Sequence, residues 1–501
     1  MRHLTNRHWL LVFAVAVLWR LGLYIAYTPL GLEPDGLGLG VLFWRPDLLH
    51  AVVPDWYETL MPKVAGYWPP FYPLLNSLVG RLFDDPLFAG RVVSALSAGG
   101  LAVVLGLIVR RVTREPGADL LAALLMATAP LAVFWDTRVR PETLYLLVYS
   151  GSLVFAIDYL GGARRARELA WATALAGIAA CVKYEAVVLL PALVWLWVAH
   201  LRKKTRREWW LVFPALIPLL LALAWMVTHS PDRVGDYRDL FSGMMLRQFP
   251  VWFGLSLAAL PSVFMWPVAA LTAFGYYILF RERSTRPLAF LFSYLLVAHL
   301  ATIAVGYNWI ARYLVTLAPF IIVPAALGWA GLPPVRWLRW GMAILALAAS
   351  LYVAPQWLGA ERDHWAETVL DGRAVAEIVP PAARCWSDDP YLTPYWAGRD
   401  LKTLDDLDEV AAGDFVLLND FYGALRHKRL VEKSLSRLRQ RGSVKILADN
   451  TQVYTPLAGD VIDPHHLAAA PDLRALGPWT FWQRQVPIGV RTTLLQFEPT
   501  H

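Results

Sequence analysis

Cysteine is almost absent from this 501-residue chain. The two that occur, Cys181 inside an apolar run and Cys385 in a polar stretch toward the C-terminus, leave no metal-ligand spacing and no disulfide framework. Redox chemistry is set aside on that ground. Charge is scarce as well: 17% of residues are charged against 57% hydrophobic, a balance outside the range of ordinary soluble domains. Much of the chain therefore belongs in lipid. The formal net charge of +7 does not gather on one basic face, because Lys and Arg fall in short clusters between apolar runs. Nucleic acid is thus excluded as a partner, and the clusters read as topology determinants. There is no internal repeat and no low-complexity segment, so a transporter built from two parallel halves gains no support. What the chain does hold in quantity is tryptophan, 24, and tyrosine, 20, rings that favour the wet boundary of a bilayer.

Apolar runs of roughly 17–25 residues cross about 30 Å of hydrocarbon as helices. Eleven such runs are expected, at about 9–28, 88–109, 119–135, 143–160, 169–183, 185–201, 210–228, 260–280, 288–306, 312–332 and 341–358. Basic residues mark every second connection: Arg2 and Arg7, Arg110 to Arg114, Arg164 to Arg167, Arg202 to Arg207, Arg281 to Arg286, then Arg336 and Arg339. The alternation puts the N-terminus in the cytoplasm and the C-terminus in the periplasm of a multi-pass protein of a bacterial cytoplasmic (inner) membrane. Arg20 interrupts the first run and no small-residue cleavage site follows, so it reads as an uncleaved anchor.

The fold class expected is an all-α polytopic membrane domain with a small α/β domain appended. Residues 1–358 form the membrane domain, including an external loop, 29–87, with interfacial helices. Residues 359–501 form a soluble periplasmic domain, with an amphipathic stretch at 361–379, a strand at 415–418, a basic helix within 423–441 and a further strand at 444–454. Its acids Asp388, Asp389, Asp405 and Asp406 read as solvated turn and helix-start residues.

Ionisable residues at membrane depth are costly, so those at external helix ends are site candidates. Four clusters qualify. In the first, Asp55, Tyr57 and Glu58 precede the aromatic turn Tyr67-Trp68-Pro69-Pro70-Phe71-Tyr72. Asp55 either stands at the mouth of a cavity or caps a surface helix. The second, Asp136-Thr137-Arg138-Val139-Arg140-Pro141-Glu142, is either a functional turn or a solvated one. The third is Lys183-Tyr184-Glu185, whose ammonium faces a phosphate or pairs with Glu185. The fourth is Arg312-Tyr313, where the planar fork of arginine suits phosphate and also suits snorkelling. Together the clusters put two acids and at least two cations at one depth on one face. Transfer of a sugar from a lipid phosphate needs that set: a carboxylate base for the acceptor hydroxyl and cations for the departing phosphate.

In this order of features the chain resembles the membrane glycosyltransferases of the C-type fold. The likeness is to glycosyltransferase family 39, which includes the protein O-mannosyltransferases and the lipid A aminoarabinose transferases. The features are Asp55, the Trp68-Pro69-Pro70-Phe71-Tyr72 turn, Arg91, Arg140-Pro141-Glu142, Lys183 ahead of Pro191, and Arg312-Tyr313 with Pro319. The resemblance implies Asp55 as catalytic base with Glu142 in support, and Lys183, Arg312, Tyr313, Arg138 and Arg140 about the donor phosphate. Tyr57, Glu58, Tyr67, Trp68, Pro69, Pro70 and Tyr72 would line the substrate cavity. It further implies an inverting displacement, metal-independent or assisted by a divalent cation such as Mg2+ or Mn2+. Expected partners are a polyprenyl-phosphate sugar donor, a lipid, glycan or protein acceptor, and membrane lipid. Two departures leave the sugar open. Trp56 follows Asp55 where the family often has a second acid, and Trp68 stands where the aminoarabinose transferases carry lysine.

The rival expectation is a non-catalytic lipid or sugar transporter or flippase, with the same charges lining a path. Such a protein usually shows charges inside several spans. Here Asp158 sits at a cytoplasmic end, and deep within a run only His299 is found, reading as a core residue bonded to a neighbouring helix.

Overall fold

The computed structural model describes residues 6–27, 69–83, 86–163, 165–202, 210–229, 243–305, 311–388, 397–404, 407–419, 430–454 and 488–499. Two compact units divide the chain: one holds residues 6–26 and the described residues from 69 to 356, the other the described residues from 357 on.

The first unit is helical throughout. Its elements are α1 (Asn6–Ala26), α2 (Phe71–Gly80), α3 (Pro86–Val112), α4 (Ala118–Thr128), α5 (Pro130–Asp136), α6 (Glu142–Asp158) and α7 (Ala166–Val182). A 3₁₀ turn, Tyr184–Leu189, then leads into α8 (Leu190–Leu201). After it come α9 (Val212–His229), α10 (Gly243–Val263), α11 (Trp266–Arg281) and α12 (Arg286–Ala304). A second 3₁₀ turn, Ala311–Leu317, opens α13 (Ala318–Ala330), and α14 (Arg336–Ile378) runs on beyond the unit boundary.

Each of the eleven expected runs falls on a helix or a helix pair. Among the described residues seven are long and apolar enough to span a membrane, or up to nine if each of two bent pairs is one span. The runs at 169–183 and 210–228 correspond to the shorter α7 and α9. α7 ends where Lys183 turns extended, at φ −154° and ψ 126°, so the near-contact of two expected runs is a real break. Both bends have local causes. α4 and α5 meet at 51° across Ala129, whose extended backbone suits a residue preceding Pro130. Between Trp252–Val263 and α11 the axis turns by 113°, at Met265 with its positive φ of 68°, just before Pro267.

α13 is apolar all round and buried along its length, which makes it the centre of the bundle. It crosses α11 at backbone contact: any side chain at Gly275 would collide with the Pro324 carbonyl, and any at Gly328 with that of Leu271. The 3₁₀ turn carrying Arg312 and Tyr313 leads directly into it.

The second unit is a five-stranded sheet of β1 (Cys385–Ser387), β2 (Lys402–Thr403), β3 (Phe415–Asn419), β4 (Gly442–Tyr454) and β5 (Ile488–Pro499), with α15 (Leu430–Arg441). Strand order is β2-β1-β3-β5-β4, parallel among the first three and antiparallel through β5. Val431, Leu435 and Leu438 of α15 bury against Trp386, Val416, Leu418 and Leu495. Asp388 is not merely a solvated turn residue, because its carboxylate accepts the Asn419 N–H at 2.9 Å. Asp389, Asp405 and Asp406 lie outside the described residues.

Candidate functional site

Three helix junctions of the first unit supply the site. Glu142 opens α6 immediately after Pro141. The partial positive charge of a helix N-terminus favours a carboxylate there. Lys183 occupies the extended residue between α7 and the turn at Tyr184–Leu189, and Arg312 lies in the 3₁₀ turn ahead of α13. Their side chains converge. Lys183 Nζ lies 3.4 Å from Glu142 Oε1 and 3.3 Å from Glu185 Oε1, and Arg312 Nε lies 3.9 Å from that Glu142 oxygen. Tyr313 gathers both cations against one ring, with Lys183 Nζ 5.0 Å and Arg312 Cζ 5.1 Å from its centroid.

Burial decides what this cluster is. Glu142 is 2% exposed, Lys183 4%, Arg140 2% and Arg312 8%, so the turn at 137–142 is no solvated loop. Arg140 feels Arg312 and Glu142, and burial first, then the Arg312 charge, pushes its guanidinium well below the ordinary arginine range. Lys183 and Arg312 thus meet Glu142 inside the protein, with Glu185 beside Lys183. Glu142 Oε2 is buried without a hydrogen-bond partner among the described residues. Among the described residues the cluster thus sets cationic side chains beside one carboxylate oxygen that carries no hydrogen bond.

Arg138 is held elsewhere in the same turn, its guanidinium 4.1 Å from the Phe134 ring and 4.7 Å from that of Trp135. Pro70 leads into α2, and Tyr72 is fully buried with its hydroxyl 3.1 Å from Ser94 Oγ. Pro69 is described just before it, whereas Asp55, Tyr57, Glu58, Tyr67 and Trp68 lie outside the described residues. Of its two expected alternatives Lys183 shows the pairing with Glu185, at 3.3 Å, and it pairs with Glu142 as well. His299 is a core residue, Nε2 3.2 Å from the Tyr149 hydroxyl. Among the described residues no three His, Cys, Asp or Glu side chains converge.

Sequence reasoning missed two buried links. Arg20 of α1 binds Asp136 at 2.9 Å, and Ser94 of α3 holds the backbone of Arg140, accepting its N–H at 3.4 Å and donating to its carbonyl at 3.2 Å. The arginine breaking the apolar first run was the available signal for the former. No local signal marks Ser94.

A bundle of membrane-length helices, with charged side chains buried at helix junctions and a small sheet-bearing unit after them, is the fold of the C-type membrane glycosyltransferases. Apo ArnT from Cupriavidus metallidurans superposes with a TM-score of 0.56 at 15% identity, covering 88% of this chain and 96% of that one. The same protein bound to undecaprenyl phosphate gives 0.53 at 14% identity, covering 98% of both chains. The sequence resembles the same group. The family model for dolichyl-phosphate-mannose-protein mannosyltransferase matches residues 68–229. An undecaprenyl phosphate-alpha-4-amino-4-deoxy-L-arabinose arabinosyl transferase of Pseudomonas paraeruginosa is 27% identical over 330 residues, 58% of this chain and 55% of that protein. The corresponding transferase 2 of Pseudomonas fluorescens is 29% identical over 255 residues, 47% of this chain and 41% of that one. The chain spans about half the length of the curated relatives it matches.

Proposed function

We propose that this chain transfers a sugar from a polyprenyl-phosphate donor to an acceptor hydroxyl at the outer face of a bacterial cytoplasmic membrane. The observation that carries the reading is the buried cationic cluster of Arg140, Lys183 and Arg312 around Glu142, set at helix ends of a membrane bundle. Cationic side chains at the ends of membrane helices suit a lipid phosphate. The names of the relatives support undecaprenyl phosphate as the carrier.

The acceptor oxygen attacks the anomeric carbon as the bond from that carbon to the phosphate oxygen breaks. The electron pair leaves on the phosphate, where Lys183 and Arg312 meet the growing negative charge. Asp55 takes the acceptor proton, and Glu142 receives a hydroxyl of the bound substrates at its free oxygen. Configuration at the anomeric carbon inverts. Incubation with radiolabelled sugars on defined polyprenyl phosphates should move label into membrane acceptors. Transfer from nucleotide sugars but from no polyprenyl-phosphate sugar would overturn the reading.

The domain division at residue 358 and the orientation belong to the same proposal. The alternation of basic connections supports a cytoplasmic N-terminus and places residues 359–501 outside. Alkaline phosphatase fused after His501 should be active, and a fluorescent cytoplasmic reporter at that position dark. The reverse pattern would reverse the outer face and move the reaction to the cytoplasm.

A further inference from the structure

Arg20 is among the largest fully buried side chains, and it lies on a helix that contributes no charge to the site described above. Such a group is expensive in a membrane-spanning helix unless its donors are satisfied. Here they are. Nε donates to Asp136 Oδ2 at 2.9 Å, NH1 to the carbonyls of Ala16 at 3.1 Å and Ala127 at 2.9 Å, and NH2 to that of Met126 at 3.4 Å.

The choice of acceptors has a backbone reason. In an unbroken helix the Met126 carbonyl would bond the N–H of residue 130, but that residue is Pro130 and has none. The bend at Ala129 moves the next N–H away from the Ala127 carbonyl too. Arg20 therefore occupies two acceptors that the break leaves open and sets the break against α1. Its remaining contact passes the constraint onward. Asp136 ends α5, and its other oxygen, Oδ1, accepts the hydroxyl of Thr143 in the first turn of α6. Asp136 and Thr143 are the two ends of the turn carrying Arg138, Arg140 and Glu142. The middle of that turn is held by Ser94 at Arg140 and by Val139, which sits on Gly90 so closely that a Cβ there would be 2.6 Å from Val139 Cγ1.

We propose that Arg20 and Asp136 form a positioning clamp for the anion site, fixing the turn so that Glu142 and Arg140 stand where Lys183 and Arg312 meet them. The proposal rests on the phosphate reading of that site. A clamp differs from a mere core ion pair in what replaces it. An apolar pair of similar volume often restores the stability contributed by a buried ion pair, yet it offers no hydrogen bond to the open carbonyls or to Thr143.

The test measures binding of undecaprenyl phosphate to the full chain in nanodiscs, beside the thermal midpoint. The double variant Arg20→Met with Asp136→Leu should fold with a lowered midpoint, since the open carbonyls lose their donors, and bind the lipid phosphate about tenfold more weakly. Thr143→Val cuts only the link from the clamp to α6. It keeps volume and fold, and should weaken binding in the same direction by a smaller factor. Parental affinity in Thr143→Val, or in a double variant that folds, overturns the clamp and leaves an ordinary core pair. Arg312→Ala serves as the control: binding that ignores its loss sinks the phosphate reading itself, whatever the clamp variants do.

Discussion

Asp55→Asn is expected to lower sugar transfer by about 10²–10⁴-fold, the usual contribution of a positioned carboxylate base, while donor-lipid binding stays near that of the parent. An alcohol is a poor nucleophile until its proton is taken in the transition state. The amide keeps the shape of the carboxylate and accepts no proton. Turnover and donor binding, measured on one preparation in detergent or nanodiscs, separate the two effects. An Asp55→Asn protein that transfers at near the parental rate would sink the mechanism. If Glu142→Gln were then the inactive variant, the base would move to the turn at 137–142, where Glu142 Oε2 stands buried and without a partner among the described residues.

Arg312→Ala should behave differently, with donor affinity and rate falling together. A charge-assisted hydrogen bond contributes about 1.5–3 kcal/mol, so each quantity is expected to drop on the order of 10- to 100-fold. The fold should survive, because Glu142 keeps Lys183 at 3.4 Å when the longer 3.9 Å contact to Arg312 is lost. Arg312→Lys keeps the charge without the planar fork and should fall between the two. Unchanged donor affinity in Arg312→Ala, read by lipid-phosphate titration, would remove this arginine from the phosphate site. Loss of folding would instead mean that its chief task is to compensate Glu142.

The contrast between these variants follows from where each group lies. Glu142, Lys183 and Arg312 share one buried cluster, so charges removed there are felt by every partner and the effects will not add. Asp55 is placed in the mechanism by the resemblance and by its position ahead of the Pro69-Pro70 turn. Its variant is therefore the more decisive experiment, because it removes the proposed base while the cluster at Glu142 keeps all its charges.

Hydrophobic runs were readable residue by residue because a helix in lipid must satisfy its backbone within the segment, which makes the apolar run itself the signal. Every expected run accordingly falls on helix. The cost of a charge at membrane depth likewise made Glu142, Lys183 and Arg312 conspicuous without any structure. Prolines at 130 and 267 marked the bends in principle, yet the angles of 51° and 113° depend on what packs around the breaks. In the second unit the strand at 415–419 and the helix ending at Arg441 were legible from composition, whereas the pairing of β3 and β4 with the late strand β5 was not. Strand partners are chosen by contacts distant in sequence.

The same separation governs the site. Chain composition and spacing determined which side chains carry charge at helix ends, because those are local costs that any lipid-embedded fold must meet. Folding in three dimensions decided which of them meet: Glu142 joins Lys183 across 41 residues, and Arg20 reaches Asp136 across 116. It also gave two arginines of one turn different holds: Ser94 bonds the backbone of Arg140, whereas the guanidinium of Arg138 lies over the ring of Phe134. Burial supplies the physical reason, since only in a low-dielectric interior does the geometry of a few ångströms settle whether a charge is paired, idle or ready for an anion.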